Sequence, residues 1–597
     1  MGLMTSMSVG VTGLRSAQIG VNTTAQNLAN LNTEGYSRQE VLNVDKIYNK
    51  IGDTYINYSQ IGLGTEVAAI KQNRNVFFDK AYRLEVGRQN FYEVQSEAVS
   101  EVESLLGEME GVQFQETLSD VRYSIEELVK EPDSIVKRTA LIETCNTFLI
   151  RSQDVYNQLK EYQVNLNTQI SDAVDRINDI GQEIWSLNKA IVRAEVSGQE
   201  HANDYRDQRN LLLDELAEYV SITYSEDIDG RVLVNVEGTQ FVSQDFVYPM
   251  STTYIREDST MLNVVWGQTD HRVFNLDHGF SSAQDTDVGK LKGLLIARGD
   301  NYMNYTAIPE SDCENQTLVE YNRSTGCSVI ANTEAEFDKL VHAVVTSIND
   351  ALNPNDTADV VLNNLGLTSV SDTVTYVNAS GEEVEVALDK VKIWDEYHAA
   401  VGMDANKTPR EEMFSRQSVE RYTEATIEVT GEDGNVEKKT IYIYNEEDPA
   451  DTYTLYTIDQ LVLNERIQSN PSMLPISANN YLGGADGYDV ATCDRLTGIW
   501  EEEFGTLNPN TSTTYTFGDF YQAMLGELAT VGNEYSSMAS NQEALADSID
   551  DNRQTVSGVS SDEQLTYLIQ FQYAYTASSR YITTVDEMLE HLLNALG

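Results

Sequence analysis

Basic residues are scarce in this chain. Forty Lys and Arg stand against 95 Asp and Glu over 597 residues, giving a formal net charge of −55 and a pI near 4.2. Phosphate recognition needs clustered cations, so nucleic acid is excluded as a partner, and an anionic membrane surface with it. What remains is a protein with a solvated acidic exterior. Long apolar runs are also missing, since none approaches the roughly 18 residues that cross a bilayer. The first basic residue is Arg15 and no long apolar block opens the chain, so no cleavable secretory signal is expected. Cysteine is rare, with four residues (Cys145, Cys313, Cys327 and Cys493). Cys145 falls on a helical core stripe and reads as a buried thiol. Cys313 and Cys327 bracket a polar stretch and form a candidate disulfide, conditional on an oxidising location.

Catalytic patterns are missing too. Six histidines (His201, His271, His278, His342, His398 and His591) are scattered, and no His-Glu-x-x-His pair is present to hold zinc. There is no Gly-x-Ser-x-Gly elbow. Gly62-Leu63-Gly64 lacks the third glycine of a dinucleotide loop, and Asp227-Ile228-Asp229-Gly230 lacks the spacing of a calcium loop. No catalytic, cofactor-binding or metal-binding residue is therefore assigned, and the chain is read as a non-enzyme.

Helical periodicity is what the chain has in abundance. One stripe runs Met7, Val11, Leu14, Val21, Ala25, Leu28. Another runs Leu565, Leu568, Gln572, Tyr575, Ser579, Ile582, Leu589, Leu593, Leu596. Steps of three and four place such residues on one narrow coiled-coil seam. A third seam, Phe77, Leu84, Phe91, Ala98, Leu105, is supported by Ala81, Val94, Val102 and Met109. A fourth continues from Leu141 to Ala194, with a stutter at Tyr162–Leu166–Ile170. A break at Glu131-Pro132-Asp133 implies that these two long helices form an antiparallel pair.

Between the helices the period changes to two. Val232, Val234 and Val236 alternate behind Asp229-Gly230. Val374–Val377 and Val384–Val386 flank Ser380-Gly381, and Thr426–Thr430 and Thr440–Tyr444 flank Asp433-Gly434. The expected fold is multidomain α+β. Its N- and C-terminal coiled-coil helices and long central helices form an elongated α-helical stalk carrying inserted β-rich outer domains. The expected divisions are 1–45, an assembly helix with its turn; 46–220, helical rod; 221–305, β-rich; 306–332, insertion; 333–356, short helix; 357–460, variable β-rich outer domain; 461–556, return into the rod; and 557–597, the closing assembly helix.

One segment is specific. Asn22 to Arg38 is a helix that runs into an Asn-rich stretch and turns at Gly35. With Asn27, Asn30, Gly35, Tyr36 and Arg38 it resembles the N-terminal motif of the flagellar rod, hook and hook-associated proteins. Asn203-Asp204-Tyr205-Arg206-Asp207-Gln208-Arg209, followed by Leu211-Leu212-Leu213, is similar to a segment of the hook-associated protein 1 family. So are Gly289 to Arg298 and the closing stretch from Gly558 to Tyr575. Residues 308–328 and 357–460 have no counterpart in that pattern.

The resemblance implies a structural junction protein of the bacterial flagellum. It would be extracellular, leave through the flagellar type III channel, and polymerise at the distal end of the hook as a ring-like layer joining hook to filament. Its implied partners are copies of itself, the hook protein, a second junction protein, and a cytoplasmic export chaperone on the C-terminal helix. Leu14, Val21 and Leu28 with Leu568, Tyr575, Ile582, Leu589 and Leu593 are the expected assembly packing, and Tyr36 and Arg38 the expected anchors of the turn. A lone terminal seam buries too little surface to offset its ordering entropy, so both tails are expected to be loose in the monomer. The alternatives are a hook or rod protein of the same superfamily, or a secreted adhesin or hydrolase with its active domain in 357–460.

Overall fold

Helix α1 spans Leu3–Ala29 in a computed structural model that describes residues 3–596 except 47–48, 52–58, 108–113, 197–200, 257–258, 277–278, 380, 432–434, 480 and 482–486. Met109, His278, Ser380, Asp433, Gly434 and the side chain of Leu596 lie outside the described residues. After α1 the chain turns through Thr33 N–H to Asn30 O and Tyr36 N–H to Thr33 O, with Gly35 at φ +72°. It then enters strands that a helical reading of 46–220 missed. These are β1 (Gln39–Asp45), β2 (Asn49–Ile51), β3 (Ser59–Ile61) and β4 (Thr65–Gln72), with β1 antiparallel to β4 and β2 to β3. The apolar residues of β1 and β4 alternate only loosely, because neither face meets a large core.

Helix α2 (Val76–Leu106) starts where the Asn75 side chain accepts the Phe77 N–H and stops at Gly107 in the left-handed region. Its expected seam is misplaced at the start. Phe77 is 72% exposed, while Asp79 and Arg83 are buried. Helix α3 (Phe114–Lys130) follows, and Pro132 forbids its continuation. Helix α4 (Ile135–Glu195) then runs unbroken for 61 residues. Its buried face carries Leu141, Cys145, Phe148, Ser152, Val155, Leu159, Leu166, Ile170, Ile177, Ile180, Ile184 and Ile191, the run of threes and fours read from the sequence. The hairpin partner of α4 is the short α3, not α2.

Helix α5 (Asn203–Tyr219) leads into the sheet β5 (Ile222–Glu226), β6 (Val232–Val236) and β7 (Thr239–Val242), and then the pair β8 (Met250–Tyr254) and β9 (Leu262–Trp266). Helices α6 (Lys290–Arg298), α7 (Asn315–Arg323) and α8 (Val329–Leu352) follow. Cys313 and Cys327 are free thiols, so the candidate disulfide is not formed; the Cys327 thiol donates instead to Arg323 O and Ser324 O.

The outer unit holds β10 (Asn355–Thr357), α9 (Ala358–Asn364), β11 (Thr368–Ser369), β12 (Thr373–Val377), β13 (Glu383–Ala387), β14 (Lys392–Trp394), β15 (Phe414–Arg416), β16 (Tyr422–Thr430) and β17 (Val436–Tyr444). Five strands form one sheet in the order β10-β14-β17-β16-β11, and β12-β13 is a separate hairpin. Ile427, Val429, Ile441, Ile443, Val361 and Leu362 make its own apolar core. Strand β18 (Leu461–Leu463) pairs back with β15, and α10 (Glu465–Ser469) and α11 (Val490–Gly498) return the chain to the stalk. Helix α12 (Phe517–Ser557) packs along α2, and α13 (Ser561–Leu596) along α1. One large core joins α2, α3, α4, α5, α6, α8, α12 and β5–β9, and it contains no residue of α1 or α13.

Candidate assembly site

Both ends of the chain meet in an antiparallel helix pair. Gly20 faces Phe571, Gly13 faces Ser578, and Gly10 faces Ile582. A Cβ added at Gly20 would lie 2.5 Å from a Phe571 ring carbon, and one at Gly10 would lie 2.7 Å from Ile582. The face of α1 that α13 covers is therefore Gly10, Gly13, Ala17, Gly20, Thr24 and Asn27, and of these only Gly13 is not fully buried. These also recur in threes and fours, one residue out of step with the expected stripe. Small side chains win because they let the backbones approach and leave grooves that Phe571 and Ile582 fill. Leu14, Val21 and Leu28 are half-buried on the flank, and Val11 is exposed.

On α13 the covered face runs Gln564, Leu568, Phe571, Ser578, Ile582, Val585 and Leu589. Leu568, Ile582 and Leu589 thus sit where the seam was read. Tyr575 and Leu593 do not. Within the single chain both are exposed, Leu593 at 68% and Tyr573 beside them at 74%. Leu565, Ile569, Met588 and Leu592 are further exposed apolar side chains of α13.

At its lower end the pair is fastened by a polar hub. Asn27 is 1% exposed and uses every hydrogen-bonding position of its amide. Its Nδ2 donates to Gln39 O and Gln564 Oε1, both at 2.9 Å. Its Oδ1 accepts the Tyr36 hydroxyl at 2.8 Å and the Gln39 N–H at 3.0 Å. One side chain thus ties α1, the turn, β1 and α13. Arg38 extends the hub: its N–H donates to Ser557 O at 2.7 Å, its guanidinium to Glu563 at 2.6 Å and to Val556 O at 3.3 Å.

The 203–209 segment holds the other side. Asn203 Nδ2 donates to Ile70 O at 3.1 Å, while Gln72 Nε2 donates to Asn203 O at 2.8 Å, so α5 is laced to β4. Asp207 accepts the Ser37 N–H at 3.2 Å and stands 3.7 Å from Arg74, which pairs with Asp79 at 2.9 Å. Burial pushes the Asp207 carboxyl up to about 6, although the Ser37 bonds and Arg74 oppose the shift. Burial, with Asp207 and Asp204 nearby, holds the Tyr36 hydroxyl well above its usual value. Arg209 turns away from the hub. Its guanidinium donates to Asn188 Oδ1 at 2.9 Å and Gly230 O at 2.6 Å, fixing α5 to α4 and the β5–β6 turn, and burial lowers it to about 10. Asp204 and Gln208 are exposed, and Asn30 makes local bonds to Gln26 O and Thr33. Arg553 closes the circle from α12, bonding Asp214 at 2.7 Å and Asp550 at 2.6 Å over the Tyr82 ring.

Sequence reasoning did not single out Gln39, Gln72, Arg74, Arg553, Glu563 or Gln564. Gln39, Arg553, Glu563 and Gln564 lie in or beside the motif segments, whereas Gln72 and Arg74 carry no such signal. The expected anchors Tyr36 and Arg38 do lie in the hub, together with Asn27, Asn203 and Asp207.

The sequence model described as the flagellar hook-associated protein FlgK helical domain matches residues 99–359. That of the flagella basal body rod protein matches 7–36, and that of the C-terminal region of the flagellar basal body rod FlgEFG proteins matches 552–595. Flagellar hook-associated protein 1 of Bacillus subtilis is 24% identical over 100% of this chain and 99% of its own length. Over its whole length the chain is thus similar to flagellar hook-associated protein 1. Members from Salmonella typhimurium and Escherichia coli are each 20% identical over 98% of both chains. The solved flagellar hook junction protein FlgK of Burkholderia pseudomallei aligns over 80% of this chain at 12% identity and a TM-score of 0.46. The two rod-type matches coincide with α1 and its turn and with α13, the elements that meet in the hub. No helix among the described residues is long and apolar enough to cross a membrane, and none of their His, Cys, Asp or Glu groups is arranged to hold a metal ion.

Proposed function

We propose that this chain is a structural subunit of the bacterial flagellum that polymerises at the distal end of the hook and joins hook to filament. One observation carries the reading. Two helices more than 500 residues apart close on each other and are locked by Asn27, Tyr36 and Arg38, while α13 keeps several large apolar side chains uncovered. Large apolar side chains left exposed in this number on one helix mark an association surface. Tyr575 and Leu593 on α13, with Leu14, Val21 and Leu28 on α1, are the residues that neighbouring subunits would cover. The chain's work is adhesion between copies and between layers, not catalysis.

Its partners follow from that position: further copies in the same layer, the hook protein beneath and a second junction protein above. Before export through the type III channel, a cytoplasmic chaperone on α13 would shield the same apolar side chains. The deciding experiment is electron microscopy of cells that lack the chain. Hooks should persist while filament subunits are shed into the medium. Cells without hooks would instead make this a hook or rod protein.

A further inference from the structure

Half of the cations of the outer unit meet in one place. Residues 357–460 hold eight Lys and Arg against 22 Asp and Glu. Four of the eight, Lys407, Arg410, Lys438 and Lys439, line a single cleft of about 690 Å³ with Trp394 and Tyr442. Lys439 is neutralised by Glu396 at 2.7 Å, which also accepts the Tyr481 hydroxyl at 3.0 Å. Arg410 is not neutralised in this way. Its guanidinium lies over the Tyr442 ring at 3.4 Å and near Trp394 at 5.2 Å, and it meets no carboxylate among the described residues. Lys438 stands opposite Glu428 in the β16–β17 ladder and is exposed.

The backbone that presents these cations is unusual. Lys407 and Arg410 sit at φ +48° and +65°, three residues apart on one loop. Glycine or asparagine would occupy such positions with less strain, so the loop's own folding does not call for long cations there. Asp404 holds the loop, accepting the Thr408 N–H at 2.8 Å and the Asn406 N–H at 3.2 Å. The result is a rigid mount for a guanidinium that is already oriented by two aromatic rings.

We propose that this cleft docks a carboxylate-rich segment of a neighbouring copy of the same chain; the proposal rests on the polymeric reading above. Sugar recognition would need an open aromatic face, but Arg410 covers Tyr442, and Trp394 is 7% exposed. A planar guanidinium beside two lysines instead matches carboxylates. The nearest supply of carboxylates in a polymer is the next subunit, which carries 95 of them, held at high local concentration by the tail contacts. The contact would also offset part of the repulsion between subunits of charge −55.

The test places a photo-crosslinking amino acid at Tyr481, on the rim of the cleft, in the full chain, and in a separate variant at Leu593 on α13 as a report of polymer formation. Isolated hook–filament structures are irradiated and the products mapped by mass spectrometry. Tyr481 should join to an acid-rich peptide of a second copy. The yield should fall roughly fivefold in R410E/K438E and at about 1 M salt, where screening shortens to about 3 Å. If Leu593 gives no product between copies, the polymeric reading itself fails. If Leu593 crosslinks and Tyr481 gives no product between copies, a product with a different protein, or a yield indifferent to salt and to R410E/K438E, the docking proposal is overturned.

Discussion

Asn27 joins four partners with one amide, and truncating it would strand each of them. The Tyr36 hydroxyl, the Gln39 N–H, Gln39 O and Gln564 Oε1 all turn inward to it. Asn27→Ala should therefore cost the hub about 3 kcal/mol, since a buried polar group left without a partner loses its full desolvation penalty. Hydrogen exchange at the Gln39 amide checks it, and unchanged protection would refute it. Asn27→Asp keeps the two accepted bonds and loses the two donated ones, so its loss should be intermediate. Three buried carboxyls make a second residue-scale prediction. Burial raises Glu334 to about 8, Asp338 to about 6 and Asp207 to about 6. Unfolded carboxyls titrate near 4, so the folded chain binds more protons between about pH 4 and pH 8. Stability must then fall as pH rises through that window. Glu334 contributes a loss of about 2 kcal/mol between pH 6 and pH 8, beside Glu336, which burial also holds well above its usual value. Glu334→Gln should remove its share of the slope; urea midpoints of both proteins at pH 6 and pH 8 decide it.

At the scale of elements, α1 and α4 show what a sequence makes legible. Helix α4 was readable because its buried positions are large and apolar, so the pattern and the packing coincide from Leu141 to Ile191. Helix α1 was readable as a helix but not in its orientation. Its buried face is built from Gly10, Gly13, Ala17 and Gly20, whose contribution is close approach, a property that hydrophobic periodicity does not register. The hub was legible only as a motif, because its bonds join residues from five separate segments of the chain. The strand-rich span 39–72 was missed because half-exposed strands lack a strict alternation. Two substitutions separate the two faces of the tail pair. Gly20→Val drives a side chain into Phe571 and should destabilise the pair within one chain by about 1–3 kcal/mol, the usual cost of overpacking. Leu593→Ala should leave the unassembled chain unchanged within about 0.5 kcal/mol, because Leu593 is exposed there. If neighbours bury it in the polymer, the same change should weaken assembly by about 2–5 kcal/mol. Denaturation of the unassembled chain together with sedimentation of the polymer reads both variants, and equal effects in the two assays would contradict the division of faces.

For the whole molecule, the separation of cores matters most. The large core runs from Val94 to Leu528 and draws on neither terminal helix, while the outer sheet packs on apolar residues of its own. The body is then stable without its ends, and the ends are coupled to each other more than to the body. Their pairing depends on both tails being present. Deleting residues 561–597 tests this coupling. The body should keep its helix content and its thermal midpoint within a few degrees, because no residue of its core is lost. Helix α1, deprived of Phe571, Ile582 and Gln564, loses the face that α13 covers and keeps only its contacts with β1, β4 and the loop before β4, and a helix of 27 residues gains little in water with so little packing. Its amides should then exchange as an unfolded segment does, and the truncated chain should not polymerise. Exchange mass spectrometry on 3–29, read beside a circular dichroism melt of the same sample, separates the outcomes. Retained protection in α1 would mean that the body alone holds it, and a collapsed melt would mean that the tails belong to the body's fold.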